Sequence, residues 1–245
     1  MKNFENKVVL ITGGGTGIGK ATAAAFVAEG ANVVITGRRQ SVLEETAKEL
    51  GESVHWIVGD VSKKGDPKRI FDETIEKFGQ LDILVNGAGT GAMGPLSHTS
   101  DEDIESTYRT NVFGPLALIR EAIPQLINNK GTVINITSVM SNGVMAGSAM
   151  YASSKAALDH VTRCLAAELG PVGVRVNAVA PGLTATDITA ELRKDEQMLG
   201  MFVGQTPMGR LGEPSDIAKA VLLLAGNGAG WVTGQVLQAG GGLML

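Results

Sequence analysis

The sequence predicts an α/β protein, a doubly wound, seven-stranded parallel sheet with helices on both faces in one domain. Three observations carry this. Short β-branched apolar runs alternate with longer helical stretches; the runs show little polar alternation, as strands buried on both faces do; and the 33 glycines fall at the ends of those runs, where turns need them. The strand candidates are "KVVLIT" (7–12), "NVVIT" (32–36), "VHWIV" (54–58), "DILVN" (82–86), "GTVINIT" (131–137), "VRVNAVA" (174–180) and "GQVLQA" (234–239). Helices are predicted over 17–29, 40–50, 66–78, 101–128, 150–169 and 214–225. Such alternation gives right-handed crossovers and a parallel sheet. No composition shift marks a linker in the 245 residues.

The segment 184–214, "TATDITAELRKDEQMLGMFVGQTPMGRLGEP", breaks the rhythm. A long charged insert after the turn "APG" is expected to be a substrate lid, because loops at the carboxyl ends of strands carry binding functions.

Composition narrows the classes of function. Lys and Arg number 21 against 25 Asp and Glu, a net charge of −4 without long runs of either sign. This argues against a nucleic-acid track or a membrane-surface helix. The single cysteine, Cys164, rules out an internal disulfide framework and suits a reducing compartment. The opening "MKNFENKVVLITGGG" is too short in its apolar run for a membrane span and has no cleavage site, so a cytoplasmic protein is expected.

After the first strand, "ITGGGTGIGKATAAAF" places Thr12, Gly13, Gly17, Ile18 and Gly19 at a strand-to-helix turn. Such a turn lets backbone approach a pyrophosphate, and the helix N-terminus supplies free N–H groups and positive partial charge. The sheet is therefore of Rossmann type. The second strand ends in Gly37, Arg38 and Arg39. An acid at this point binds the ribose 2′-hydroxyl of NAD; its absence, with two guanidinium groups following, points to the 2′-phosphate of NADP(H).

At the fifth strand's carboxyl end stands Ser138, with Tyr151 and Lys155 thirteen and seventeen residues on, one helical turn apart in "YASSK". Ketone reduction needs a proton for the developing alkoxide. A nearby ammonium is expected to lower the tyrosine pKa from about 10 toward the operating pH. Ser138 can hydrogen-bond and polarise the carbonyl oxygen.

"TGGGTGIG" (12–19), "GDVS" (59–62), "NGAG" (86–89), "TNVFG" (110–114), "ITSVMS" (136–141), "YASSK" (151–155), "NAVAPG" (177–182) and "GRLGEPSDIAKAVLLLAG" (209–226) together resemble the short-chain dehydrogenase/reductase family over nearly the whole chain. The resemblance implies a catalytic set of Asn111, Ser138, Tyr151 and Lys155, with Tyr151 the acid/base. Lys155 would also hold the nicotinamide ribose, and Asn111 would support a water leading from Lys155 to solvent. Asp60 and Val61 would flank the adenine, and Asn86, Ala88 and Gly89 would lie along the cofactor. Pro181, Gly182, Leu183 and Thr186 would meet its nicotinamide end. The resemblance also implies a homotetramer built on the fifth and sixth helices and on the last strand. Gly87 replaces an asparagine usual in the family, Ala239 an aspartate, and Thr16 a basic residue of many NADP-preferring members.

No metal is implied, since His55, His98 and His160 are scattered. His55 reads as a core residue, His98 as a neighbour of the helix cap formed by Thr99, Ser100 and the following acids, and Cys164 as a small buried hydrophobe. The expected pocket wall, 90–96 and 140–150 with the lid, is small, apolar and nearly uncharged. That favours a neutral small-molecule ketone or its secondary alcohol. Reduction of a 3-oxoacyl carrier-protein thioester is the alternative, followed by a sugar or polyol dehydrogenase and, in another class, a non-catalytic NADP(H) sensor. Met140, Met145 and Met150 fit either substrate contact or core filling.

Overall fold

The computed structural model describes residues 3–91 and 93–244; Ala92, in the expected pocket wall, lies outside the described residues. Seven strands form one parallel sheet: β1 (Val8–Thr12), β2 (Asn32–Gly37), β3 (Val54–Val58), β4 (Ile83–Asn86), β5 (Thr132–Ile136), β6 (Arg175–Pro181) and β7 (Val236–Ala239). Their order is β3-β2-β1-β4-β5-β6-β7. The chain reverses its direction of travel between β1 and β4, and ligands of open α/β sheets bind at such a switch point, beyond the strands' carboxyl ends.

Alternation along β1 divides the core. Val9 and Ile11 pack with Phe26 of α1 (Gly17–Ala28), Leu43 of α2 (Gln40–Leu50) and Ile217 and Val221 of the helix Pro214–Ala225. Val8 and Leu10 face the other way, onto Ile70 of α3 (Asp66–Phe78), Leu118 and Leu126 of the helix Gly114–Asn129 and Leu169 of the helix Ala149–Leu169. Both faces of the strand are thus sealed, which is why its sequence is apolar throughout.

The expected helix over 101–128 is three pieces: α4 (Asp101–Tyr108), a π-helical turn (Arg109–Phe113) and α5 (Gly114–Asn129). The wider turn follows from Asn111, which is fully buried. Its Nδ2 donates to the Thr90 carbonyl (2.7 Å) and to Ser154 Oγ (2.9 Å), and its Oδ1 accepts from the Thr90 N–H (2.9 Å). Drawing that side chain inward widens the helix locally, and such π turns recur at functional sites. Ser100 caps α4, accepting from the Asp103 N–H at 3.1 Å, as the sequence around His98 predicts.

The long helix α6 (Ala149–Leu169) buries Ser154, Lys155, Leu158, Asp159, Thr162, Ala166 and Leu169. Cys164 lies on its outer side and is exposed, not buried as its residue type suggests; the phase of the helix decides this, since the inward positions run 158, 162, 166 and 169. His55 is only half-buried, against the edge of the Phe78 ring. Burial still pushes its pKa down, with Lys77 adding to the effect.

The 184–214 segment contains α7 (Ala190–Lys194) and α8 (Glu196–Gly204) and leads into α9 (Pro214–Ala225). Its two ends are tied together, Ala185 N–H to Gly212 O at 2.8 Å and Gly212 N–H to Leu183 O at 2.9 Å. Among the described residues no helix is long and apolar enough to cross a membrane.

Candidate active site

A cleft of about 340 Å³ runs along the carboxyl edge of the sheet across the switch point. At one end β1 delivers Thr12 into the turn before α1. A Cβ on Gly19 would stand 2.2 Å from the Gly13 carbonyl oxygen, so only glycine lets the first turn of α1 close onto the strand. Thr16 precedes α1 without capping it through its side chain, which leaves the helix N–H groups to a ligand. Such a cradle fits a dinucleotide pyrophosphate. Gly37, Arg38 and Arg39 at the end of β2, and Asp60 and Val61 after β3, line the cleft's far end. Arg39 Nη2 also lies 3.7 Å from Asp187 Oδ2 of the 184–214 segment.

At the other end Ser138, Tyr151 and Lys155 come together on the cleft wall. Ser138 ends the extension of β5 and opens the short turn Val139–Ser141, its Oγ accepting from the Met140 N–H at 3.2 Å. The Ser138 hydroxyl lies beside Tyr151 and draws the tyrosine pKa down. The Tyr151 side chain lies close against Gly91: a Cβ there would be 2.4 Å from the ring carbon Cδ2. Lys155 is only 4% exposed, and its ammonium donates to the Ile136 carbonyl oxygen at 2.8 Å.

The electrostatics differ from the sequence expectation. Burial raises the Tyr151 pKa above its ordinary value, and the Ser138 hydrogen bond offsets this only in part. The Lys155 ammonium stands 5.8 Å from the centre of the Tyr151 ring, turned to the β5 carbonyl. It therefore does not produce the expected lowering here. Lys155 itself is pushed down to about 8 by burial, with the Asp159 carboxylate opposing the shift. Both changes are of the kind that mark functional sites.

Of the other residues singled out in the sequence, Ile18, Ala88, Gly89, Pro181, Gly182 and Thr186 line the cleft. Three stand behind its wall. Asn111 bridges Thr90 and Ser154 as described. Leu183 packs in a small cluster with Val139, Phe202 and Leu243. Asn86 directs its amide into the sheet, Nδ2 donating to Asn135 Oδ1 at 2.9 Å, and Asn135 Nδ2 in turn donates to Thr162 Oγ1 at 2.9 Å. Thr36 and Val42, which no motif indicated, also line the cleft. Their single signal is position, at the end of β2 and in the first turn of α2.

Residues 13–244 match a family model described as enoyl-(acyl carrier protein) reductase. The structure superimposes on a short-chain type dehydrogenase/reductase from Mycobacterium ulcerans with a TM-score of 0.95 at 32% identity, covering 99% of this chain and 91% of that one. The chain belongs to the short-chain dehydrogenase/reductase family. Another member, the (2S)-[(R)-hydroxy(phenyl)methyl]succinyl-CoA dehydrogenase subunit BbsD of Thauera aromatica, is 40% identical over 99% of this chain and 98% of its own. A 3-ketoacyl-(acyl-carrier-protein) reductase from Brucella melitensis, solved in complex with NADH, gives a TM-score of 0.92 at 31% identity over 99% of this chain and 100% of that one. As a short-chain dehydrogenase/reductase, the chain is an oxidoreductase of CH–OH and C=O groups that uses a nicotinamide cofactor.

Proposed function

We propose that this enzyme is an NADP(H)-dependent carbonyl reductase, or in reverse a secondary alcohol dehydrogenase, acting on a neutral ketone with Tyr151 as acid/base. The observation that carries the reading is the convergence of Ser138, Tyr151 and Lys155 on the cleft that begins at the glycine cradle. The bound nicotinamide supplies the hydride for the carbonyl carbon. Tyr151 gives its proton to the carbonyl oxygen, and the raised pKa keeps that proton in place at neutral pH. Ser138 Oγ hydrogen-bonds the same oxygen and strengthens its hold as charge develops. Lys155 holds the nicotinamide ribose. Asn111 fixes the π turn and the 90-loop around them. Arg38 and Arg39 receive the 2′-phosphate, the absence of an acid at Gly37 leaving nothing to repel it.

The 184–214 segment serves as the substrate lid. Exposed apolar side chains from the 90s loop, the 140s loop and the 184–214 segment support a neutral, apolar substrate: Met93, Val144, Ile188, Met198 and Met208. A 3-oxoacyl thioester is the second reading, favoured by the names of the two relatives that act on thioesters. The protein works in the cytoplasm as a homotetramer, for which the half-open apolar recess on α5 and α6, lined by Phe113, Leu116, Ala117, Ile123 and Leu165, offers one contact face.

NADPH consumption by wild type and Tyr151→Phe across aryl ketones, aliphatic ketones, 3-oxoesters and a 3-oxoacyl thioester tests this. Turnover that collapses in the variant while NADPH affinity persists is the expected result, and the ranking separates the two substrate classes. NADPH binding with no turnover of any of them would overturn the reading.

A further inference from the structure

One buried carboxylate takes no part in the mechanism above. Asp159 stands one helical turn beyond Lys155 on α6, so Tyr151, Lys155 and Asp159 follow one another along a single face. It is only 2% exposed. An isolated carboxylate so deep is costly unless it is partnered. Its Oδ2 accepts a short hydrogen bond from Ser141 Oγ. The Thr137 hydroxyl donates to the Val179 carbonyl at 3.4 Å and lies near enough to the carboxylate to favour its charged form. Its Oδ1 has no partner. Half of the carboxylate is therefore tied to the turn that holds Ser138, and the other half is left to act through space.

We infer that Asp159 is a positioning residue for the Tyr151–Lys155 pair, holding the Ser138 turn through Ser141 and keeping Lys155 protonated in its buried site. The inference rests on the acid/base reading of that pair. Burial works against the Lys155 ammonium, and the one opposing charge is Asp159. The groups that face Asp159 in turn are Lys155 and Arg163 of its own helix, Ser141 of the turn and Thr137 at the end of β5. Among the described residues β6, α4 and the 109–113 turn, which also pack on α6, bring no further charge to bear on it. Removing a negative charge lowers the pKa of every neighbouring group, so the sign of the effect holds whichever member of the coupled pair loses the first proton.

Asp159→Asn removes the charge and keeps an oxygen for Ser141; Ser141→Ala keeps the charge and releases the turn. Two readouts test them: NMR titration of protein labelled at lysine Cε, with the Lys155 signal located by its loss in Lys155→Met, and the pH profile of kcat/KM with NADPH and a ketone. In Asp159→Asn the Lys155 titration and the alkaline limb of the profile both move down by about one pH unit. In Ser141→Ala the limb stays in place while KM rises. Where the asparagine variant does not fold, Asp159→Ser removes the same charge and gives the same shift. A folded Asp159 variant whose titration and profile coincide with wild type overturns the inference. Turnover that survives Tyr151→Phe would instead overturn the acid/base reading beneath it.

Discussion

Replacing Gly19 with alanine adds one methyl group at the floor of the pyrophosphate cradle. That carbon would sit 2.2 Å from the Gly13 carbonyl oxygen and 2.7 Å from its carbon, both backbone atoms that no rotamer change can clear. A relaxed C···O contact needs about 3.3 Å, so the turn and the first residues of α1 must separate by about 1 Å. A shift of that size removes one or two backbone N–H bonds to phosphate. Hydrogen bonds to charged groups contribute about 1.5–3 kcal/mol each, so the loss is about 2–4 kcal/mol, or roughly 30- to 1,000-fold in affinity. Calorimetric titration with NADPH measures it directly. Gly170→Ala is the control, because nothing lies within 4 Å of its added Cβ and its φ of −54° suits any residue. NADPH affinity within about threefold of wild type in a folded Gly19→Ala protein would refute the account of the cradle.

Gly37→Asp places a carboxylate beside Arg38 and Arg39, and the ratio of NADPH to NADH affinity should fall by at least about tenfold; equal ratios would remove the basis for NADP(H) preference. Gly91→Ala forces its methyl into the Tyr151 ring, and kcat should drop by about 100-fold with NADPH affinity little changed, as expected for a reacting group displaced by about 1 Å. Lys155 supplies a stability prediction. Its folded pKa, about 8, lies below the ordinary 10.5. Between these values the unfolded chain holds the extra proton, so folding stability rises with pH through that window and the full cost of burying the ammonium is present below it. The rise amounts to about 3 kcal/mol. Lys155→Met should exceed wild type in urea stability at pH 7, the gap narrowing toward pH 10; parallel curves would show that the burial cost is absent.

The strands and the outer helices were readable from residue order because burial on both faces and clear stop signals write themselves into composition. α3 ends at Gly79, which takes the left-handed φ of 76° that a glycine permits, and its predicted limits coincide with those observed. The break between α4 and α5 was not readable. Apolar periodicity runs on through 109–113, and the widened turn depends on Asn111 finding Thr90 and Ser154, two partners distant in sequence. Cys164 was misplaced because residue type says nothing about helix phase. Asn86 shows the same limit at the site: its identity suggests a polar contact, but the choice of partner is made by Asn135, which the parallel register of β4 and β5 sets beside it. Spacing puts Tyr151 and Lys155 on one face of a helix, and both line the cleft, yet spacing carries no information about solvation, and solvation sets the direction of both pKa shifts.

The hydrogen-bonded base of the 184–214 segment has an engineering consequence. Because Leu183, Ala185 and Gly212 bind one another, the segment leaves and rejoins the protein at one point. Beyond it the contacts of Asp187 with Arg39, Phe202 with Val139 and Leu243, and Met208 with Gly241 hold it further. Closing a longer or shorter excursion from such a base changes the entropy little, about 0.6 kcal/mol for each doubling in length. New lengths and compositions can therefore be grafted between 194 and 201, while the cradle, the Ser138–Tyr151–Lys155 cluster and the residues of the segment that line the cleft stay in place.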